Sequence, residues 1–178
     1  MINLANHGKG RVNIEFSVPS RSLIGYRDEF LTDTKGTGII NSSFLGYEEF
    51  RGDFPMRFNG SIVSDRTGKA VPYALFNLEP RGQLFVVPGD PVYEGMIIGE
   101  HNRDTDINVN PTKTKALTNM RASGKDDGIL LAPITAITLE RAINFIREDE
   151  MVEITPKSIR MRKTILPAID RRDTLRQN

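Results

Sequence analysis

Cysteine and tryptophan are both absent from this 178-residue sequence, and histidine occurs only as His7 and His101. Without cysteine there are no disulfides, thiol nucleophiles or cysteine-based zinc sites. Two histidines far apart in sequence argue against a histidine metal site or a catalytic triad. No apolar run approaches the roughly 20 residues of a membrane-spanning helix, so membrane insertion is not expected. With no apolar leader at the start, the expected compartment is the reducing cytoplasm. The usual traces of catalysis are missing as well: there is no G-x-x-x-x-G-K-S/T phosphate loop, no G-x-S-x-G elbow and no H-E-x-x-H helix. The acidic runs Glu148-Asp149-Glu150 and Tyr47-Glu48-Glu49 lack the ligand spacing of a calcium loop and read as solvated turns. We therefore expect no catalytic, cofactor-binding or metal-binding residues.

What is present is an ordinary globular composition, 38% hydrophobic, with 24 basic against 23 acidic residues. That is enough apolar material for a core in one or two domains. The near-neutral total conceals an uneven distribution, and the field of a surface depends on where its charges sit. From Asn108 to Lys125 the charged residues are Lys113, Lys115, Arg121 and Lys125, with no acid among them. From Thr155 to the end, Lys157, Arg160, Arg162, Lys163, Arg171, Arg172 and Arg176 outweigh Asp170 and Asp173. An acidic stretch from Glu140 to Glu153 lies between the two.

Periodicity supplies an α+β expectation. The first ten residues read as a short extended piece and a turn, and Arg11 to Val18 alternates Val12, Ile14, Phe16 and Val18 with polar residues, as a strand with one buried face does. Ser20 is placed to cap a helix over Arg21 to Thr34, with Leu23, Phe30, Leu31 and Thr34 on one side and Lys35-Gly36 as its end. Thr37 to Phe44 follows as a strand, giving a β-α-β opening with a domain boundary near Gly52. Beyond it, turn residues alternate with expected strands at Ser61–Ser64, Ala70–Leu78, Gln83–Val87 and Met96–His101. The 27 residues from Asn102 to Gly128 are polar and unpatterned apart from Ile107-Asn108-Val109. Loops longer than about 12–15 residues are commonly functional or disordered. Ile129 to Ala132 reads as a buried strand. Thr138 caps a helix carrying Leu139, Ala142, Ile143 and Ile146 on one face and ending near Arg147. Val152 and Ile154, then Ile159 and Met161, mark two further strands, with Arg160 and Arg162 pointing outward. From Pro167 the tail is expected to be mobile.

The acid-free loop is the strongest candidate site. Its cations stand among Thr112, Thr114, Thr118, Asn119 and Ser123, donors that contact phosphate and ribose oxygens, with Gly124 for pliancy. Arg160, Arg162 and Lys163 form a second basic group, which also suits the guard of an edge strand.

Several segments fit one family: Val18-Pro19-Ser20-Arg21-Ser22-Leu23-Ile24-Gly25-Tyr26-Arg27, Thr34-Lys35-Gly36-Thr37-Gly38, Gly68-Lys69-Ala70, Val92-Tyr93-Glu94-Gly95-Met96-Ile97-Ile98-Gly99 and Leu117-Thr118-Asn119-Met120-Arg121-Ala122-Ser123. In this order they resemble the C-terminal part of the BipA/TypA family of bacterial translational GTPases, related to elongation factor G. The resemblance implies that residues 1–52 are the second half of a domain V-like, partial ferredoxin-like module, and that 53–178 are the C-terminal domain peculiar to the family. That second part is expected to be β-rich with one clear helix. Because the first β-α-β of the module is not in this sequence, we expect an exposed, incomplete sheet that the N-terminal segment or another molecule fills, so that the chain can self-associate.

The resemblance further implies that GTP, Mg and GTP hydrolysis belong to a domain outside this sequence. The partners it implies are the ribosome, large-subunit rRNA and the acceptor end of tRNA. The loop would approach that end through Lys113, Lys115, Asn119, Arg121 and Lys125, with Arg160, Arg162 and Lys163 as further RNA contacts. The alternative is a protein-interaction or assembly domain whose basic surface is incidental.

Overall fold

The computed structural model describes residues 1–6, 8, 10–50, 52, 57–114 and 130–171. The chain divides into two units, Met1–Pro55 and Met56–Asn178.

In the first unit, Asn3–Asn6 (β1) pairs antiparallel with Val12–Glu15 (β2), setting Leu4 opposite Ile14 and Ala5 opposite Asn13. The helix expected over Arg21 to Thr34 is divided. A 3-10 turn covers Ser20–Leu23, and an α-helix, Tyr26–Asp33 (α1), follows. Gly25 causes the break: its φ of 76° lies in the left-handed region, which glycine enters without a Cβ penalty. The helix ends as Lys35-Gly36 implies, with the Gly36 N–H donating to the Leu31 carbonyl at 2.7 Å. Leu23, Phe30, Leu31 and Thr34 are half-buried, the face expected of them. Thr37 to Phe44 forms no strand, so the described order is β-β-α rather than the expected β-α-β. A strand forms only where a neighbour completes its ladder, and Ile39 and Phe44 stand 82% and 75% exposed.

The second unit is built on a six-stranded sheet. Its elements in order are Ser61–Ser64 (β3), Gly68–Lys69 (β4), helix Pro72–Leu78 (α2), Gly82–Leu84 (β5), Pro91–Val92 (β6), Met96–His101 (β7), Ile107–Val109 (β8), helix Leu139–Phe145 (α3), Glu150–Ile154 (β9) and Ile159–Lys163 (β10). The strand order is β8-β3-β7-β10-β9, with β5 also paired to β7, while β4 and β6 form a separate pair. All pairings are antiparallel except β3 with β8. Strand β7 is central: β3 lies along one edge, and β5 and β10 meet its C-terminal and N-terminal halves.

Neighbouring residues on β3 and β7 enter different cores, as the strand period of two requires. Ile62, Met96 and Ile98 pack with Ala70, Leu75, Leu78, Leu84, Val86, Val92 and Val109. Val63 and Ile97 pack on the opposite face with Phe85, Ala142, Phe145 and Met161. Helix α2 therefore covers one face and α3 the other. The strands expected at Ser61–Ser64 and Met96–His101 form over those residues. So does the hairpin of Val152–Ile154 with Ile159–Met161, as β9 and β10.

Two expectations for this unit are corrected. Ala70 to Leu78 is mostly helix, because Pro72 at the first turn fixes a helical φ and Ala74, Leu75 and Leu78 turn one side to the core. Among the described residues the unit thus carries α2 besides α3, and residues 168–171 are helical as well. Leu130 to Ala132 is no strand; Leu130 is 90% exposed, and Ile129 lies outside the described residues. Beyond Pro167 the described residues reach 171; there the Ala168 N–H donates to Glu94 Oε1 at 2.9 Å, and Arg171 donates to Asn108 Oδ1. The helix after Thr138 ends before Arg147 as expected, with the Thr138 hydroxyl oxygen accepting from the Arg141 N–H at 3.2 Å.

Candidate nucleic-acid interface

The basic loop leaves the sheet through β8. Parallel pairing sets Ile62 opposite Ile107 and Ser64 opposite Val109. Pro111, fully buried, accepts the Val71 N–H on its carbonyl at 3.0 Å. Asn110 then turns the chain, its Oδ1 accepting from the Thr112 N–H at 2.9 Å and the Thr112 hydroxyl at 2.8 Å. Lys113 follows, exposed. Lys115, Asn119, Arg121 and Lys125 lie outside the described residues. The returning chain is fixed as firmly: Leu131 packs on the core that holds Val109, the Ala132 N–H donates to Glu79 Oε1 at 2.6 Å, and the Thr135 N–H donates to the Leu84 carbonyl at 3.2 Å. Gln83 adds a bond to the Thr135 hydroxyl. Both feet of the loop thus stand on one rigid core, the placement expected of a recognition loop.

Arg160 and Arg162 share the face of β10 that bears Met96 across the β7 pairing and Glu153 and Met151 across the β9 pairing. Both are half-buried. Tyr93 reaches the same face and donates its hydroxyl to Glu153 Oε2 at 2.6 Å. Burial, and then this carboxylate, push the phenol well above its usual range, against the opposing pull of Arg162 and Arg160. From β8 to β10 there are three strand spacings of about 4.8 Å. The loop and the arginine face are therefore separate places on one unit.

Lys163 is a correction. It is 1% exposed on the opposite face of β10, the face of Met161 and Ile159. Its ammonium is held by Asp106 Oδ2 at 2.5 Å, Asp149 Oδ2 at 2.7 Å and Glu150 Oε1 at 2.9 Å. With its cation enclosed among carboxylates it has nothing to offer a phosphate, so it leaves the candidate surface. Arg57 completes this cluster. It donates to both oxygens of Glu150, at 2.9 and 3.0 Å, and stacks over Phe145 with its guanidinium carbon 3.8 Å from the ring centre.

Burial would raise the carboxyls of Asp106 and Glu150 and lower Lys163, but the mutual hydrogen bonds win in each case. Glu150 and Asp106 are held below their usual range and Lys163 above its own. Arg147 ties in the first residues of the unit, donating to the carbonyls of Phe58 at 2.7 Å and Asn59 at 2.8 Å. Sequence reasoning misses this cluster, although its signal is there. By the alternation that turns Arg160 and Arg162 outward, Lys163 belongs inside with Met161.

The second unit is matched at residues 59–168 by the family described as TypA/BipA C-terminal domain, and residues 1–58 by the family described as elongation factor G C-terminus. The chain belongs to the TypA/BipA family, as a C-terminal domain preceded by an elongation factor G-type C-terminus. Among similar proteins, the large ribosomal subunit assembly factor BipA of Haemophilus influenzae is 52% identical over 93% of this chain and 27% of its own length. The protein of that name in Escherichia coli K12 is 51% identical over 96% of this chain and 28% of its own. In Buchnera aphidicola the figures are 52%, 91% and 27%. The chain thus spans little more than a quarter of the relatives it matches. Both matched families are C-terminal domains, and no catalytic domain is indicated within this chain. Among the described residues, no helix is long and apolar enough to cross a membrane, and no cluster of His, Asp and Glu is arranged to hold a metal.

Proposed function

We propose that this chain is a ribosome-binding module, acting in the cytoplasm, that positions a translational GTPase on the large subunit by gripping RNA through its basic loop. The observation that carries the reading is the acid-free stretch Asn108–Lys125, anchored at both feet on the core of a family whose relatives are named large ribosomal subunit assembly factors. Lys113, Lys115, Arg121 and Lys125 neutralise phosphates, while Asn119 and the loop hydroxyls follow backbone shape and 2′-hydroxyls. The targets are large-subunit rRNA and the tRNA acceptor end, with Arg160 and Arg162 as a second contact. GTP and Mg are bound by another domain, so the module binds and orients and breaks no bond. Co-sedimentation with purified large subunits tests this. The chain pellets with subunits, and the variant with Lys113, Lys115, Arg121 and Lys125 changed to Glu stays in the supernatant. Equal pelleting of both overturns the loop assignment and favours the alternative, a protein-interaction domain.

A further inference from the structure

Strand β8 is a short root for a recognition loop. It has three residues, stands at the edge of its sheet and, among the described residues, pairs with β3 alone. On one face Ile107 and Val109 pack on the core. Asp106, Asn108 and Asn110 alternate with them, as the strand period requires, and two cations from the end of the unit reach the first two of these. Lys163 holds Asp106 Oδ2 at 2.5 Å. Arg171 donates through one terminal nitrogen to Asn108 Oδ1, and through the other to the carbonyls of Leu166 and, at 3.0 Å, Ile165.

The path of the chain after β10 makes this reach possible. The Lys163 N–H donates to the Gly95 carbonyl at 2.8 Å, and the Gly95 N–H donates to the carbonyl of Ser64, the last residue of β3, at 2.9 Å. Leu166 lies against Gly95, where an added Cβ would meet its Cα at 2.7 Å, and the Ala168 N–H donates to Glu94 Oε1. Residues 164–171 thus pass from β10 across the start of β7 to β8. We propose that Arg171 is a positioning residue for the basic loop: by clasping Asn108 it fixes the outgoing foot, and Lys113 with it, in the place from which RNA is met. The proposal rests on the RNA reading of that loop. Only a planar fork can serve a side-chain oxygen and two carbonyls together, which an ammonium cannot. The nearby carboxylates of Glu94, Asp106 and Asp149 already attract the Arg171 charge, so it acts through Asn108 and not on phosphate.

Titration of purified large ribosomal subunits with the 178-residue chain tests this. Arg171→Ala binds about threefold to tenfold more weakly than wild type, with the same salt slope, because no phosphate contact is lost. Arg171→Lys keeps the charge without the fork and weakens binding equally. Asn108→Ala matches both, and the double variant Arg171→Ala with Asn108→Ala is no worse than either single one, since the two residues make one contact. In the free chain Arg171→Ala leaves the urea midpoint unchanged and speeds amide exchange over Ile107–Val109. Added to the variant with Lys113, Lys115, Arg121 and Lys125 changed to Ala, it causes no further loss of binding, whereas a general defect of the fold would. Unchanged binding by Arg171→Ala, where the four loop substitutions do weaken it, overturns the clasp and leaves the loop reading standing. A shallower slope for Arg171→Ala, or full binding by Arg171→Lys, makes Arg171 a phosphate contact and overturns it too, as does a urea midpoint that falls together with binding. If the four loop substitutions leave binding unchanged, the loop reading falls and the clasp with it.

Discussion

The Lys163 ammonium lies 2.9 Å from Glu150 Oε1, with 2% of one side chain and none of the other open to solvent. Removing one member of a buried pair leaves an uncompensated charge, which costs about 3–5 kcal/mol. We expect Lys163→Met to lower the urea-unfolding free energy by about that amount. Arg162→Ala, half-buried and bonded only to the Lys163 carbonyl among the hydrogen bonds described, should change it by about 1 kcal/mol or less. Equal losses would place the two side chains in equivalent surroundings, contrary to the structure.

The same cluster sets an acid limit. Burial raises the Asp106 and Glu150 carboxyls, but Lys163, Ser61 and Arg57 more than offset it, and both ionise below their usual range when folded. Protons therefore bind the unfolded chain more readily. The stability these groups add is complete above about pH 4 and drains as pH falls through their lower folded values. Lys163 titrates above its usual range, so its share persists until pH rises beyond about 10.4. Urea midpoints measured from about pH 5 down to about pH 2 should fall more steeply for wild type than for Glu150→Gln.

Gly82 marks where β5 meets β7. It faces His101 across the pairing, and a Cβ built on it would fall on the Glu100 carbonyl, which is backbone and cannot step aside. Gly82→Ala should cost about 1–3 kcal/mol by overpacking and speed amide exchange in β5. Unchanged exchange at Gln83 and Leu84 would show that the strand tolerates the methyl group.

Legibility in the sequence follows the physics of each segment. Ser61–Ser64 and Met96–His101 are readable because a short apolar run bounded by turn residues suits a strand buried on both faces, and the β9–β10 hairpin because Val152, Ile159 and Met161 recur at the strand period and meet one core. Thr138 announces α3 through capping chemistry. Ala70–Leu78 misleads because a buried seven-residue helix and a buried strand are both short apolar runs, and Pro72 is the cue that separates them. Thr37–Phe44 pairs with no strand among the described residues, and its sequence alone does not show that. Of the site, the four loop cations are plain from the missing acids. Lys163 reads as a surface cation because its three carboxylates come from Asp106 and the Asp149-Glu150 turn, distances in sequence that local patterns do not span.

If cations in the loop bind RNA phosphates, as proposed, binding to purified large subunits depends on salt. Each neutralised phosphate releases condensed counterions, so the logarithm of the association constant falls linearly with the logarithm of salt concentration. We expect a steep negative slope for wild type. Changing Lys113, Lys115, Arg121 and Lys125 to Ala should make it shallower, by roughly 0.7 for each single-strand phosphate that is no longer neutralised. A slope near zero, or one the four substitutions leave unchanged, would contradict it.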